Sequence, residues 1–219
     1  MEILKPTKNN LNKIIETLNF GGVVVCPTDT VYGFLADATN KKAILKIFKI
    51  KKRSKKKPLP IFVKDFKMAK ELAEISSEPA SARGFGDAGQ EKILKKYWPG
   101  KYTFILKSKK SSLRGVPVNA CLSAGRKQSK LIIGRDGTVA LRIPKYKYLN
   151  DLLKKINKPL AQTSVNISGQ PPLTKINEII KIFSKNKNID LIIDAGNLSK
   201  SKPSKIIDLT GIEKKIVRK

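Results

Sequence analysis

Apolar residues recur at helical spacing through the first part of the chain, with Leu11, Ile14, Ile15 and Leu18 on one face of a helix predicted from about Thr7 to Asn19. Gly21-Gly22 stops it, and Val23 to Cys26 reads as a buried strand ended by Pro27. A second helix is predicted from about Lys41 to Ile50, with Ile44, Ile47 and Phe48 inward. A strand follows at Leu59 to Val63. Asp65 is placed to cap the helix carrying Met68, Leu72 and Ala73. Further helices are predicted at about Gln90 to Tyr97, Tyr148 to Ile156 and Lys175 to Phe183. The remaining strand candidates are Tyr102 to Leu106, Val139 to Ile143, Leu160 to Thr163, Leu191 to Ile193 and Ile206 to Leu209. Strands alternating with helices predict an α/β fold, a twisted open mixed sheet with flanking helices. No internal repeat is present.

Two stretches interrupt this pattern, one from Glu78 to Gln90 and one from Arg114 to Gly137. Both are rich in Ala, Gly, Ser and Arg, and they hold Arg83, Arg114, Arg126 and Arg135, four of the seven arginines. They read as exposed loop insertions in a chain otherwise predicted to be one domain over residues 1–219.

Composition narrows the chemistry. At 219 residues the chain is long enough to bury a core without staples, roughly 70% of its unfolded surface. It contains no histidine, so imidazole zinc sites and Ser-His-Asp or Cys-His nucleophile systems are excluded. Cys26 and Cys121 form no C-x-x-C pair. No apolar run reaches the ~18 residues needed to span a bilayer, and no leader pattern opens the chain, so the expectation is a cytoplasmic protein. The formal charge of +29 is carried mainly by lysines spread along the chain. That charge suits an anionic partner, but because the lysines are spread along the chain with no aromatic stacking platform interleaved, most of it reads as a compositional bias that coats the surface with lysine.

Candidate chemistry sits just past strand ends, where open α/β sheets place ligands. Cys26-Pro27-Thr28-Asp29-Thr30-Val31-Tyr32-Gly33 offers hydroxyls and a glycine that permits close approach. In Lys51-Lys52-Arg53-Ser54-Lys55-Lys56-Lys57-Pro58-Leu59, Arg53 offers a two-pronged fork for phosphate oxygens, while the rest reads equally well as a solvated face. Leu160-Ala161-Gln162-Thr163-Ser164-Val165-Asn166-Ile167-Ser168-Gly169 runs from strand into loop, and its Asn166 is able both to donate and to accept. Pro203-Ser204-Lys205 sets one more hydroxyl at a strand edge.

Taken in order, TDTVYG, K-x-R with K-P-L, WPG-x-x-T, TVALRIP, TSVN-x-SG-x-PP and PSK-x-x-DLT resemble the threonylcarbamoyl-AMP synthase (YrdC-like) family from Gly21 to Arg218. The resemblance implies a twisted α/β sheet around a basic cavity in which L-threonine, bicarbonate and ATP yield threonylcarbamoyl-AMP and pyrophosphate. By similarity, Lys51, Arg53, Lys57, Thr138, Asn166, Thr174 and Arg218 match ATP-binding positions, with Mg²⁺ carried on the ATP. Thr30, Arg142, Ser164 and Ser204 match threonine-binding positions, and no residue is implied as a nucleophile. The product is implied to serve tRNA modification through a separate threonylcarbamoyltransferase complex. Departures are Phe62 in place of a frequent histidine, Ser54 and Lys101 in place of prolines, Val165 in place of alanine, and Lys205 where threonine is common. Two other readings stand beside this one. The first is a non-catalytic RNA-binding module, whose basic cavity would take tRNA or double-stranded RNA. The second is the carbamoyl-transferring domain of hydrogenase maturation proteins, whose upstream zinc-binding cysteines are not found here.

Overall fold

The structure, a computed structural model, describes residues 1–77, 89–109, 131–134, 136–199, 201–211 and 214–218. Most of both predicted insertions lies outside the described residues, including Arg83, Arg114, Arg126, Arg135 and Cys121. In chain order the elements are β1 (Glu2–Leu4), α1 (Leu11–Asn19), β2 (Val24–Cys26), β3 (Gly33–Asp37), α2 (Lys41–Lys51), β4 (Ile61–Phe62), α3 (Phe66–Leu72) and α4 (Gln90–Tyr97). They continue as β5 (Tyr102–Lys107), β6 (Thr138–Arg142), α5 (Lys147–Ile156), β7 (Leu160–Ser164), α6 (Ile176–Phe183), β8 (Leu191–Ile193), β9 (Lys205–Asp208) and β10 (Lys215–Arg218). Among the described residues the strands form one mixed sheet in the order β1-β8-β2-β3-β7-β4-β6-β5-β9-β10. The predicted α/β class is what the chain adopts.

Alternation along the strands sends side chains to opposite faces of the sheet. Val23 and Val25, Phe34, Ile61, Phe104, Leu141 and Ile192 join one core, packed under α2, α3, α4 and α6. Val24 and Cys26, Leu35, Phe62, Leu160, Leu191 and Ile193 join a second core, packed under α1 and α5. The second core takes nothing from β5, β6 or β9. On that part of the same face the strands instead carry polar groups, Thr103 on β5 and Arg142 on β6, both buried. This uncovered polar stretch becomes the floor of the site.

The helix boundaries follow from their caps. Asn40 accepts a hydrogen bond from the Ala43 amide, and Asp65 accepts one from the Met68 amide as predicted. Asn10 makes no side-chain cap, and the first helix begins at Leu11 because Thr7 to Asn10 form turns. Three strands escape the sequence pattern. β1 and β10 are short edge strands, and β3, Gly-Phe-Leu-Ala-Asp, is buried at all five positions yet holds no β-branched residue.

Candidate active site

The K-x-R spacing is a helix-ending device. Lys51 is the last residue of α2, and Lys52 adopts a left-handed conformation (φ 50°, ψ 40°). The Lys52 amide bonds the Lys49 carbonyl, while the Arg53 amide reaches back to the Phe48 carbonyl, closing the helix in a Schellman turn. Lys51 thereby turns inward and Arg53 emerges one residue past the reversal. Lys51 is 2% exposed, and its ammonium donates to the Ser164 carbonyl (2.6 Å), the Asn166 carbonyl (2.9 Å) and Asn166 Oδ1 (2.7 Å). Burial, then the charge of Arg53, pushes the Lys51 ammonium down to about 7. Its three donors are all engaged, so Lys51 anchors the loop after β7 and adds charge from beneath.

That loop is held as tightly at its other end. Ser164 Oγ donates to Asn166 Oδ1 (2.7 Å), and Asn166 Nδ2 donates to the carbonyls of Ile167 (2.9 Å) and Gln170 (2.6 Å). Both lone-pair sites and both amide protons of Asn166 are therefore used within the chain. Asn166 shapes the loop whose backbone and hydroxyls face the site.

Arg142 closes the floor. It is 2% exposed and pairs with Asp29 through Nη2 (2.5 Å), while Nε donates to the Gly100 carbonyl (2.9 Å). Its Nη1 lies 3.4 Å from Thr30 Oγ1, and the guanidinium stacks 5.5 Å above the Phe62 ring. The Lys145 amide satisfies the second Asp29 oxygen (3.1 Å). Thr28 Oγ1 donates to the Val31 carbonyl (2.7 Å) and accepts from the Thr30 amide (3.1 Å), which fixes the turn carrying Thr30. Across the floor, Ser204 Oγ and Thr103 Oγ1 are 2.9 Å apart. Arg218 Nη2 and Nε clasp the Ser204 carbonyl at 2.6 and 2.9 Å.

These groups wall a cavity of about 620 Å³, a size that suits a nucleotide with a small co-substrate. Lys51, Lys52, Arg53, Lys57, Arg142 and Arg218 line it, and no Asp or Glu appears among its described lining residues. Burial lowers the proton affinity of Arg53 and Arg142, with Asp29 partly restoring that of Arg142. Arg218 is lowered by burial and further by the like charges of Arg142 and Arg53. Arg218 facing the charges of Arg142 and Arg53 across a cleft free of described acids makes an anion site.

Of the residues named from sequence, Thr30, Lys51, Arg53, Lys57, Arg142, Ser164, Asn166, Ser204 and Arg218 all line this cavity. Thr138 does not. It starts β6, four residues or about 14 Å along the strand from Arg142, with its carbonyl bonded to the Gly134 amide. Thr174 also lies off the wall, its carbonyl bonded to the Leu198 amide beyond Pro172. Sequence reasoning missed Gln162 and the partner of Arg142. Gln162 is two residues before Ser164 on one strand, so the period of two places it on the cavity side. Asp29 is the single acid of the TDTVYG turn, which was the available signal for the ion pair.

The comparisons with known proteins agree with this geometry. Residues 16–219 match the model of the Sua5/YciO/YrdC family, which carries the description "telomere recombination". A putative threonylcarbamoyl-AMP synthase from Methanocaldococcus jannaschii is 35% identical over 194 residues, covering 89% of this chain and 77% of that protein. A threonylcarbamoyl-AMP synthase from Pyrococcus abyssi is 33% identical over 190 residues, covering 87% of this chain. This chain spans about half (48%) of that relative's length. The crystal structure of Pyrococcus abyssi Sua5 complexed with L-threonine superposes with a TM-score of 0.74 at 28% identity, over 95% of this chain and 54% of that one. With a family model matched over most of its length and a cavity built from the matching motifs, the chain belongs to the Sua5/YciO/YrdC family.

Proposed function

We propose that this chain is a threonylcarbamoyl-AMP synthase, converting L-threonine, bicarbonate and ATP into threonylcarbamoyl-AMP and pyrophosphate for tRNA modification. The observation that carries this reading is the cavity itself, with three converging guanidiniums, a rim of threonine and serine hydroxyls, and no acid among its described lining residues. Threonine and bicarbonate condense to the N-carboxylate of threonine. One oxygen of that carbamate attacks the α-phosphorus of ATP, a new P–O bond forms, and the bond to the β-phosphate bridging oxygen breaks. Pyrophosphate leaves with the electron pair. Such a step needs alignment and charge neutralisation, and the carbamate supplies the nucleophile. The absence of histidine is therefore no obstacle.

In this reading Arg53, Lys57 and Arg218 hold phosphate oxygens, and Lys51 and Asn166 fix the loop that borders them. Arg142 receives the threonine carboxylate through its loosely engaged Nη1, with Thr30, Ser164 and Ser204 around the amino acid. Thr138 and Thr174 take part only where the nucleotide extends beyond the cavity wall. The donors are cations, hydroxyls and amides, a set that fits Mg²⁺ delivered on the phosphates of ATP. The working arrangement is one cytoplasmic domain over residues 1–219, with loop insertions near 78–90 and 114–137. The described end of the second departs from an exposed loop, since Leu131 and Ile132 are buried in the first core and Ile133 bridges Val139, and Gln90 already belongs to α4. The product passes to a threonylcarbamoyltransferase complex. Among the described residues no helix is long and apolar enough to cross a membrane.

Pyrophosphate release measured with ATP and Mg²⁺ tests the proposal. Release that requires threonine and bicarbonate together is the expected result. Release independent of either co-substrate, or none at all, would overturn it.

A further inference from the structure

The β9–β10 hairpin has two working sides. Ile206 and Arg218 face the cavity, whereas Ile207, the next residue on β9, and Ile216, across a register shift from Arg218 on β10, face the opposite side of the sheet. There they floor a separate groove of about 970 Å³ between the hairpin and α4. Helix α4 supplies Lys92 and Lys96 one turn apart on one wall, and Lys202, Lys205 and Lys214 rise from the other. Among the described residues no acid lines the groove and none of these five lysines makes an ion pair, while a sixth lining lysine, Lys95, is paired with Glu91. Tyr97 of α4 and Tyr102 of β5 meet in the groove with ring centroids 4.4 Å apart. Lys96 and Lys205 lie about 6 Å over their faces. The sequence shows no aromatic platform among its lysines because the two tyrosines belong to different elements and meet only in the fold.

The groove also continues. Tyr102, Lys202 and Lys205 line a second, smaller pocket with Lys101, Lys145 and Asp29, whose carboxylate is already paired with Arg142, and Pro203 of that pocket lines the catalytic cavity as well. A mainly lysine-walled track thus runs past the starts of β5 and β9 toward the cavity mouth. Point charges along an extended path, with aromatic and aliphatic surface between them, match a polyanion whose flat bases are unpaired. We propose that this groove binds a single-stranded RNA segment, on the face of the sheet opposite the phosphate cavity. The inference goes beyond the synthase reaction, which requires no RNA.

The test is fluorescence anisotropy of a labelled single-stranded RNA of about 12 nucleotides, titrated with the full chain from ~50 to ~200 mM KCl. Lys92→Glu, Lys96→Glu and Lys214→Glu combined should weaken binding at least tenfold relative to a charge-matched control, Lys8→Glu, Lys154→Glu and Lys185→Glu combined. The slope of log affinity against log salt should fall by up to about 2, or about 0.7 for each phosphate no longer neutralised. Tyr97→Leu should weaken binding several-fold with the slope unchanged. Equal weakening in the control triple would overturn the proposal, as would tighter binding of duplex RNA. Displacement of the RNA by polyglutamate with equal potency per charge, together with no effect of Tyr97→Leu, would assign the groove to an acidic polypeptide instead. Pyrophosphate release is followed in the same variants. Unchanged release with abolished RNA binding separates this groove from the cavity, and absent release in the parent protein would count against the synthase reading alone.

Discussion

Arg142→Ala will lower stability by about 3–5 kcal/mol and raise the threonine concentration needed for half-maximal pyrophosphate release roughly 10- to 100-fold. The stability loss arises because Asp29, with a side chain only 6% exposed, keeps its desolvation penalty after its cation is removed. The Lys145 amide alone does not offset a buried carboxylate. In the proposed reaction the effect on threonine would come from the guanidinium edge that lies 3.4 Å from Thr30 Oγ1, the weakest-held edge of Arg142. The ATP requirement should move less. Arg142→Ala combined with Asp29→Ala should recover much of the stability and none of the threonine affinity, which separates the two roles. Thermal melts and steady-state kinetics with each substrate varied are sufficient. A larger shift for ATP than for threonine would contradict the assignment.

Arg53→Ala will leave the fold nearly untouched and reduce turnover by roughly 100-fold or more. Among the described residues the guanidinium bonds only the Lys57 carbonyl (2.9 Å) and the Pro58 carbonyl (3.2 Å), both in its own loop. Losing those bonds costs about 1 kcal/mol and also relieves repulsion with Arg218. In the proposed reaction, charge developing on the departing pyrophosphate would then lose one of its fixed partners. Arg53→Lys should recover less than a tenth of the activity, because a single ammonium does not replace the fork. Turnover unchanged in Arg53→Ala would remove Arg53 from the phosphate site.

Much of this architecture was legible in the chain. Helices α2, α4, α5 and α6 announced themselves by their apolar spacing, and the Asp65 cap was visible as a residue type before an apolar run. Strand β3 was hidden because Gly33 to Asp37 lacks the branched residues that signal a strand. It lies between β2 and β7, and burial on both faces supplies what propensity does not. The motifs identified the residues of the cavity but gave no account of how they are satisfied. From sequence Lys51 and Asn166 look like ligand-binding groups, and in the fold their polar atoms are bonded to one another and to the loop after β7. Linear order also gave no means of separating Thr138 from Arg142, because only the length of β6 shows how far apart they stand.

The convergence of Arg53, Arg142 and Arg218 bears on how this protein fares in a cell. An anion seated beside Arg218, where it relieves the repulsion from Arg142 and Arg53, binds the folded chain and has no comparable site on the unfolded one, so each tenfold excess over its dissociation constant adds about 1.4 kcal/mol to stability. Any anion that fills the cleft should therefore slow proteolysis of the chain in step with its occupancy.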